Sequence, residues 1–194
     1  MPRPREFDTN TAVDRAVETF WQNGYDGTGM QDLCRSMDLH SGSIYAAFGD
    51  KRGLFLAAMD RYIDTVSREA IERIGGASSG MGGIRAYFDY LVDAIVDGKR
   101  RWGCLITNAV AELAQRDPEI AAKIAVHLGR VDAAFQSALA RARSEGALAK
   151  DVGPEKSAYL LCVLQGLNVL AKTQPPRKVL REIVDTALAG LERR

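Results

Sequence analysis

The fold this sequence predicts is all-α: nine helices, the first three forming a compact helix-turn-helix domain. Three observations predict it. Apolar residues recur at i, i+3, i+4 and i+7 spacing along nearly the whole chain, with no strand alternation bounded by hairpin turns. Helix stops and starts punctuate that pattern at Gly24, Asp117-Pro118, Gly146, Pro154-Glu155 and Pro175-Pro176. Within residues 28–54, two short apolar sets are spaced to close against each other across a tight turn.

The first helix is expected from about Thr9 to Asn23, with Val13, Ala16, Val17, Phe20 and Trp21 on one face and Gly24 as its stop. Thr28 and Gln31 have the S/T-x-x-E/Q form of a capping box, so the second helix is expected to begin at Thr28. Met30, Leu33, Cys34 and Met37 line one face of it. Leu39, Ile44, Tyr45 and Phe48 form a second apolar set that closes against the first, and Ser41-Gly42-Ser43 leave the start of the third helix uncluttered. This is the layout of a helix-turn-helix, whose second helix enters the DNA major groove by its N-terminal residues.

A long fourth helix is expected from Lys51, behind the N-cap Asp50, to about Ile74 through Phe55, Met59, Tyr62, Ile63, Val66 and Ala70. We place the domain boundary inside it, near Met59, giving domains 1–58 and 59–194. Gly75 to Gly83, GGASSGMGG, reads as a flexible break. Five helices follow. Ile84, Tyr87, Phe88, Leu91 and Ile95 define one, and Gly103-Cys104 opens another that ends near Arg116. Asp117-Pro118-Glu119 starts a long helix to Glu145, by the rule of a proline at the first helical position. Pro154-Glu155 opens a helix to about Lys172. The last helix carries Val179, Leu180, Ile183, Val184, Ala187, Leu188 and Leu191.

From the first helix to Leu54 the chain resembles the N-terminal DNA-binding domain of the TetR family of bacterial repressors, with Gly24-Tyr25, Thr28, Leu33, Gly42, Ile44-Tyr45, Phe48 and Lys51 at matching positions. The helix order extends the resemblance along essentially the whole chain. It implies that Thr28, Tyr45 and Lys51 hold backbone phosphates while His40, Ser41, Gly42 and Ser43 sit at the base-reading end of the recognition helix. Tyr45 suits that role physically, joining a ring that can lie on the duplex to a hydroxyl that can reach a phosphate. Some positions depart from the family pattern. Asp38 stands where the turn commonly has Gly, although Asp tolerates left-handed backbone angles. Cys34 replaces a small Ala, and Gly29 replaces a second Thr or Ser that could otherwise hold a phosphate. His40 and Ser41 fall at variable positions, so no base preference is implied.

The resemblance also implies a ligand-responsive transcription regulator, most often a repressor, that binds a palindromic double-stranded operator as a homodimer. Residues 59–194 would be its effector-binding and dimerisation domain. Dimerisation is expected through the last two helices, because YLLCVLQGLNVLAK is apolar nearly all round and Gly166 lets another backbone approach. A small-molecule effector is expected against Tyr62, Tyr87, Leu91, Trp102, Leu105, Phe135 and Leu139, with Asn108 and Glu112 as polar groups one helical turn apart. Cys104 follows Lys99, Arg100 and Arg101 at a helix start. Cations and a helix N-terminus both favour a thiolate, which gives an electrophile- or oxidant-sensing role a mechanism; the alternative is a small packed residue, since no resolving cysteine is near in sequence. Cys34 and Cys162 read as structural.

Composition bounds these readings. With 194 residues, 46% hydrophobic and 26% charged, the chain can bury a sizeable core. No apolar run is long enough for a membrane span, and MPRPREFD is no signal peptide, so a cytoplasmic location without membrane contact is expected. Three scattered cysteines and two histidines argue against a zinc site, and no cofactor is expected. No GxSxG, HExxH, Walker loop or GxGxxG after a strand occurs, so no enzyme is expected. The net charge is only +1, and residues 1–75 carry nine basic against twelve acidic groups. A bulk basic footprint is absent, and DNA binding would depend on placed groups: Arg3, Arg5, Arg35, Lys51 and Arg52. The alternative is a helical protein-interaction module without specific DNA binding.

Overall fold

The computed structural model describes residues 8–193; the tail arginines Arg3 and Arg5 lie outside the described residues. Ten α-helices are present among these residues: α1 (Thr9–Asn23), α2 (Met30–Met37), α3 (Ser41–Phe48), α4 (Lys51–Tyr62), α5 (Arg68–Gly76), α6 (Gly80–Val96), α7 (Leu105–Leu113), α8 (Pro118–Ser144), α9 (Ser157–Leu170) and α10 (Arg177–Ala189). A π-helical turn, Ile63–Ser67, joins α4 to α5 without a break in helical backbone, so the two form one rod and the helix count is nine. Such single π turns inside α-helices frequently occur at functional sites.

Local chemistry accounts for the helix ends. Asp8 caps α1 by accepting the Asn10 amide at 3.0 Å, and Asp50 caps α4 by accepting that of Gly53 at 2.7 Å. Asp117 caps α8, taking the amides of Glu119 and Ile120 at 3.1 Å each, with Pro118 at the first helical position. Asp38 ends α2 in the left-handed region at φ 55°.

Two expectations are corrected. Thr28 does not cap α2: Gly29 is the N-cap, and the reciprocal contact comes from Asp32, whose carboxylate accepts the Gly29 amide at 2.9 Å, and not from Gln31. The Thr28 hydroxyl donates to the Gly24 carbonyl at 2.6 Å instead, and the residue is 1% exposed. The glycine-rich stretch is no flexible break. α5 continues to Gly76 and α6 begins at Gly80, capped by Ser79. A Cβ on Gly80 would lie 2.2 Å from the Ala138 carbonyl oxygen, and one on Gly83 would lie 2.1 Å from that of Ile74. The glycines are there because α6 packs backbone to backbone on α8 and α5.

Two hydrophobic cores result. The first joins Val13, Phe20, Trp21, Leu33, Ile44, Phe55 and Tyr62 to Cys104–Ile106, Ala109 and Leu113 of α7 and to Ile120 and Ile124 of α8. Rings lock it edge to face, Phe20 on Phe55 at 4.9 Å and Trp21 on Tyr62 at 5.0 Å. The second lies among α5, α6, α8, α9 and α10. The rod through Tyr62 passes from one core into the other.

Candidate functional site

The DNA-facing candidate is the start of α3. Ile44 is fully buried and pins the helix. His40, Ser41 and Gly42 surround it at or near the surface, and Tyr45 is 48% exposed. His40 is the N-cap but makes no side-chain capping bond, and the first helical amides that turn inward are those of Ser43 and Ile44, both to the His40 carbonyl. The amides of Ser41 and Gly42 therefore point out of the helix end, the arrangement in which helix N-termini accept anions. A Cβ at Gly42 would meet nothing, so this surface is open.

The cations divide in an unexpected way. The Lys51 ammonium lies over the Tyr25 ring, 4.4 Å from its centroid, at the start of the helix that follows α3. Arg35 pairs with Asp32 at 3.4 Å on the surface. Arg52, expected as a DNA-side cation, is instead a strut: it grips Asp117 at 2.5 and 2.9 Å and Glu119 at 2.7 Å. That fork ties the start of α4 to the cap of α8, and it holds the Asp117 carboxyl well below the usual carboxylate range.

A second strut comes from Glu112, whose carboxylate accepts the amides of Tyr25 and Asp26 at 2.7 and 3.1 Å. Expected as an effector ligand, Glu112 acts on the turn that precedes α2. It also edges an open groove, with Trp102 and Asn108, between the end of α1 and α7. Asn108 spends its amide on the Trp102 carbonyl at 3.1 Å.

A small chamber, about 20 Å³, lies between α5, α6, α7, α8 and α9. Of the residues expected at an effector pocket, Tyr87 and Cys104 line it. Tyr62 lies just behind, its hydroxyl facing the Cys104 thiol and Leu105 amide without reaching hydrogen-bonding geometry, and burial pushes its phenol up. Leu91, Phe135 and Leu139 belong to the second core and Leu105 to the first. Phe135 is stacked on Phe88 at 5.9 Å, with Tyr87 edge-on at 5.5 Å, so helical periodicity placed it inward but against side chains and not against a cavity.

Sequence reasoning missed the polar members of the chamber, among them Arg100, His127 and Asn168. These three are buried, and each has an unpartnered polar atom: Arg100 Nε, His127 Nδ1 and Asn168 Oδ1. Burial, with Arg130 and Arg100 nearby, lowers the His127 imidazole from 6.5 to about 4. A signal for His127 existed, since it interrupts the apolar stripe Ile120, Ile124, Val131, Phe135. Arg100 was legible only as one of three cations in a row before Cys104, with nothing in the sequence to say which of the three turns inward. The chamber is tied to the DNA-binding head through the turn before α7, where the Trp21 indole donates to the Gly103 carbonyl at 3.1 Å.

An exposed recognition-type helix on a three-helix head, joined by struts to a helical body with a polar-lined chamber, defines the class of helix-turn-helix DNA-binding regulators. The family is equally plain. Residues 12–58 match "Bacterial regulatory proteins, tetR family", and residues 80–189 match "Tetracyclin repressor-like, C-terminal domain". The chain is 33% identical to the uncharacterized HTH-type transcriptional regulator YezE of Bacillus subtilis, over 99% of this chain and all of that one. It is 27% identical to the HTH-type transcriptional repressor ComR of Escherichia coli, over 96% of this chain and 90% of the relative. Among solved structures, a cysteine mutant of the TetR family regulator CifR, complexed with 26-base-pair double-strand operator DNA, superposes with a TM-score of 0.86 at 31% identity, covering 96% of this chain and 98% of that one. This chain belongs to the TetR family of transcriptional regulators, which bind DNA and are not enzymes. Among the described residues no helix is long and apolar enough to cross a membrane.

Proposed function

We propose that this protein is a ligand-responsive repressor that binds a palindromic operator as a homodimer and releases it when a small molecule occupies the chamber or modifies Cys104. The observation that carries the reading is the Trp21–Gly103 bond, because it joins the first helix of the head to the turn that bears Cys104. A change in the chamber that displaces this turn moves Trp21, and with it the packing of α1 on α4. The ComR relative is named as a repressor and the CifR structure holds operator DNA, which supports the same assignment here.

In this reading His40, Ser41, Gly42 and Ser43 meet base edges, while Tyr45 and Lys51 meet phosphates. Thr28 shapes the turn and makes no phosphate contact, since its hydroxyl is spent on Gly24. Homodimerisation uses α9 and α10. Tyr159, Cys162, Val163, Gly166, Val169 and Leu170 follow i, i+3, i+4, i+7 spacing on one side of α9, and Val169 is 58% exposed. Such an apolar face needs a cover, and C2 pairing is the commonest cover.

The residue that favours an electrophile or oxidant as effector is Cys104, the N-cap of α7, which lines the chamber beside Arg100. Selection of genomic duplexes at low salt, followed by footprinting, tests the whole reading. A symmetric protected site, released on addition of a thiol-directed electrophile by the wild type and not by Cys104→Ser, is expected. A protein that selects no duplex refutes the repressor. One that is released equally in both forms refutes only the role of Cys104.

A further inference from the structure

We propose that the chamber receives the carboxylate of a small apolar acid, with Arg100 as the group that takes its charge. This rests on the reading of the chamber as the effector site and adds the chemical class of the effector.

Arg100 is 5% exposed, and a guanidinium stays charged at any pH a protein meets. Among the described residues every ion pair lies elsewhere. Its Nε has no hydrogen-bond partner. The titratable groups that face it are Tyr62, Tyr87, Tyr90, Cys104 and His127, and none of them is a carboxylate. A buried cation with no anion is unfavourable, and the described residues provide none. The side chain is not there by slack in the backbone. Its amide donates to the Ala94 carbonyl at 2.9 Å, and its carbonyl accepts from Gly103 at 2.9 Å, so the turn holds it under the head.

The rest of the lining completes a binding site for an amphipathic anion. His127 Nδ1 and Asn168 Oδ1 are likewise unpartnered in the same chamber. Ala70, Ile71, Leu128, Val131 and Leu164 are apolar walls for a hydrocarbon body. One guanidinium and one neutral imidazole suit a monoanion better than a phosphate, which asks for more donors. At about 20 Å³ the space holds roughly one water, so an organic acid has to part the walls. One of those walls is the turn bonded to Trp21, and occupancy is thereby linked to the head.

The test uses the full-length protein with acetate, hexanoate, octanoate and benzoate, each against its uncharged amide, read by thermal shift and by titration calorimetry. At least one acid is expected to bind and raise the melting temperature while its amide does not. Arg100→Gln is expected to weaken acid binding about tenfold or more and leave operator affinity unchanged. Asn168→Asp guards against a variant that fails to fold, because it places a carboxylate in the chamber and is expected to compete with the acid. Cys104→Ser is expected to keep the acid response. Equal binding of acids and amides, binding by no member of the series, undiminished binding to both variants, or acid binding that appears only in Cys104→Ser would overturn the proposal, the last by identifying a Cys104 thiolate as the counter-charge in the wild type. Acid binding that leaves the operator complex intact would refute the chamber as effector site while leaving the anion site standing.

Discussion

The Trp21 side chain and the Gly103 carbonyl, 82 positions apart in the chain, are joined by a buried hydrogen bond of 3.1 Å. The same indole packs edge to face on Tyr62 at 5.0 Å and on Trp102 at 6.1 Å. Gly103 cannot drift from this arrangement. It has φ +77°, and a Cβ there would lie 2.3 Å from the Asn168 carbonyl oxygen. The head is thus attached to the chamber's rim at a point that neither side can easily rebuild.

Trp21→Phe keeps a ring against Tyr62 and removes the donor. It is expected to cost about 1–3 kcal/mol, since the Gly103 carbonyl is left buried without its partner. Operator affinity should stay within a few-fold of wild type while effector-driven release is blunted. Binding isotherms with and without effector check this, and undiminished release would show that the bond carries no signal.

Glu112→Ala leaves the Tyr25 and Asp26 amides without their acceptor and removes the tie between α7 and the turn before α2. A decrease of about 1–3 kcal/mol is expected in denaturant unfolding. Operator affinity should fall as well, because the turn that orients α2 and α3 is freed.

Tyr45→Phe and Lys51→Ala are expected to weaken binding to all duplexes alike. Lys51→Ala should also shallow the salt dependence, by about one unit of slope for the phosphate it no longer neutralises. Substitutions at Ser41 and Ser43 should instead change which operator is preferred. Affinity measured against salt for matched and mismatched duplexes separates the two groups.

Stability should fall as pH drops from 6.5 toward 4. The unfolded chain protonates His127 near its ordinary value, while the folded chain resists until about 4. Within that window the unfolded state binds more protons, so stability rises with pH, by up to about 3 kcal/mol in total. Urea unfolding at pH 7.5, 6 and 5 should show a steeper decline for wild type than for His127→Gln; parallel curves would mean that the imidazole titrates alike in both states.

At Gly166 a Cβ would have open space around it, so Gly166→Arg can point its side chain away from its own chain. The monomer fold should therefore survive, with an unchanged helical spectrum, while the face of α9 proposed for pairing is blocked. Sedimentation velocity should find a dimer for the wild type and a monomer for this variant.

The helix order was legible because periodicity, caps and prolines act within a few residues of where they stand. Asp8, Asp117 with Pro118, and Asp50 each satisfy amides two or three positions ahead, so their helices begin where such signals predict. Thr28 misleads for the same local reason. It satisfies a capping pattern, yet the chain turns back far enough for its hydroxyl to reach Gly24, and Asp32 takes the capping role. Gly80 and Gly83 read as flexible because their close neighbours on α8 and α5 are invisible in one dimension.

The class of this protein, a nine-helix chain with a helix-turn-helix at the front, could be read in one dimension, because apolar spacing and turn chemistry are properties of short segments. What the charges do emerged from packing. Arg52 and Glu112 bind across 65 and 87 positions to hold the head, and Arg100 is sealed into a chamber without an anion. A charge has no direction in a sequence; its role is set by the dielectric around it and by the group that packing brings opposite.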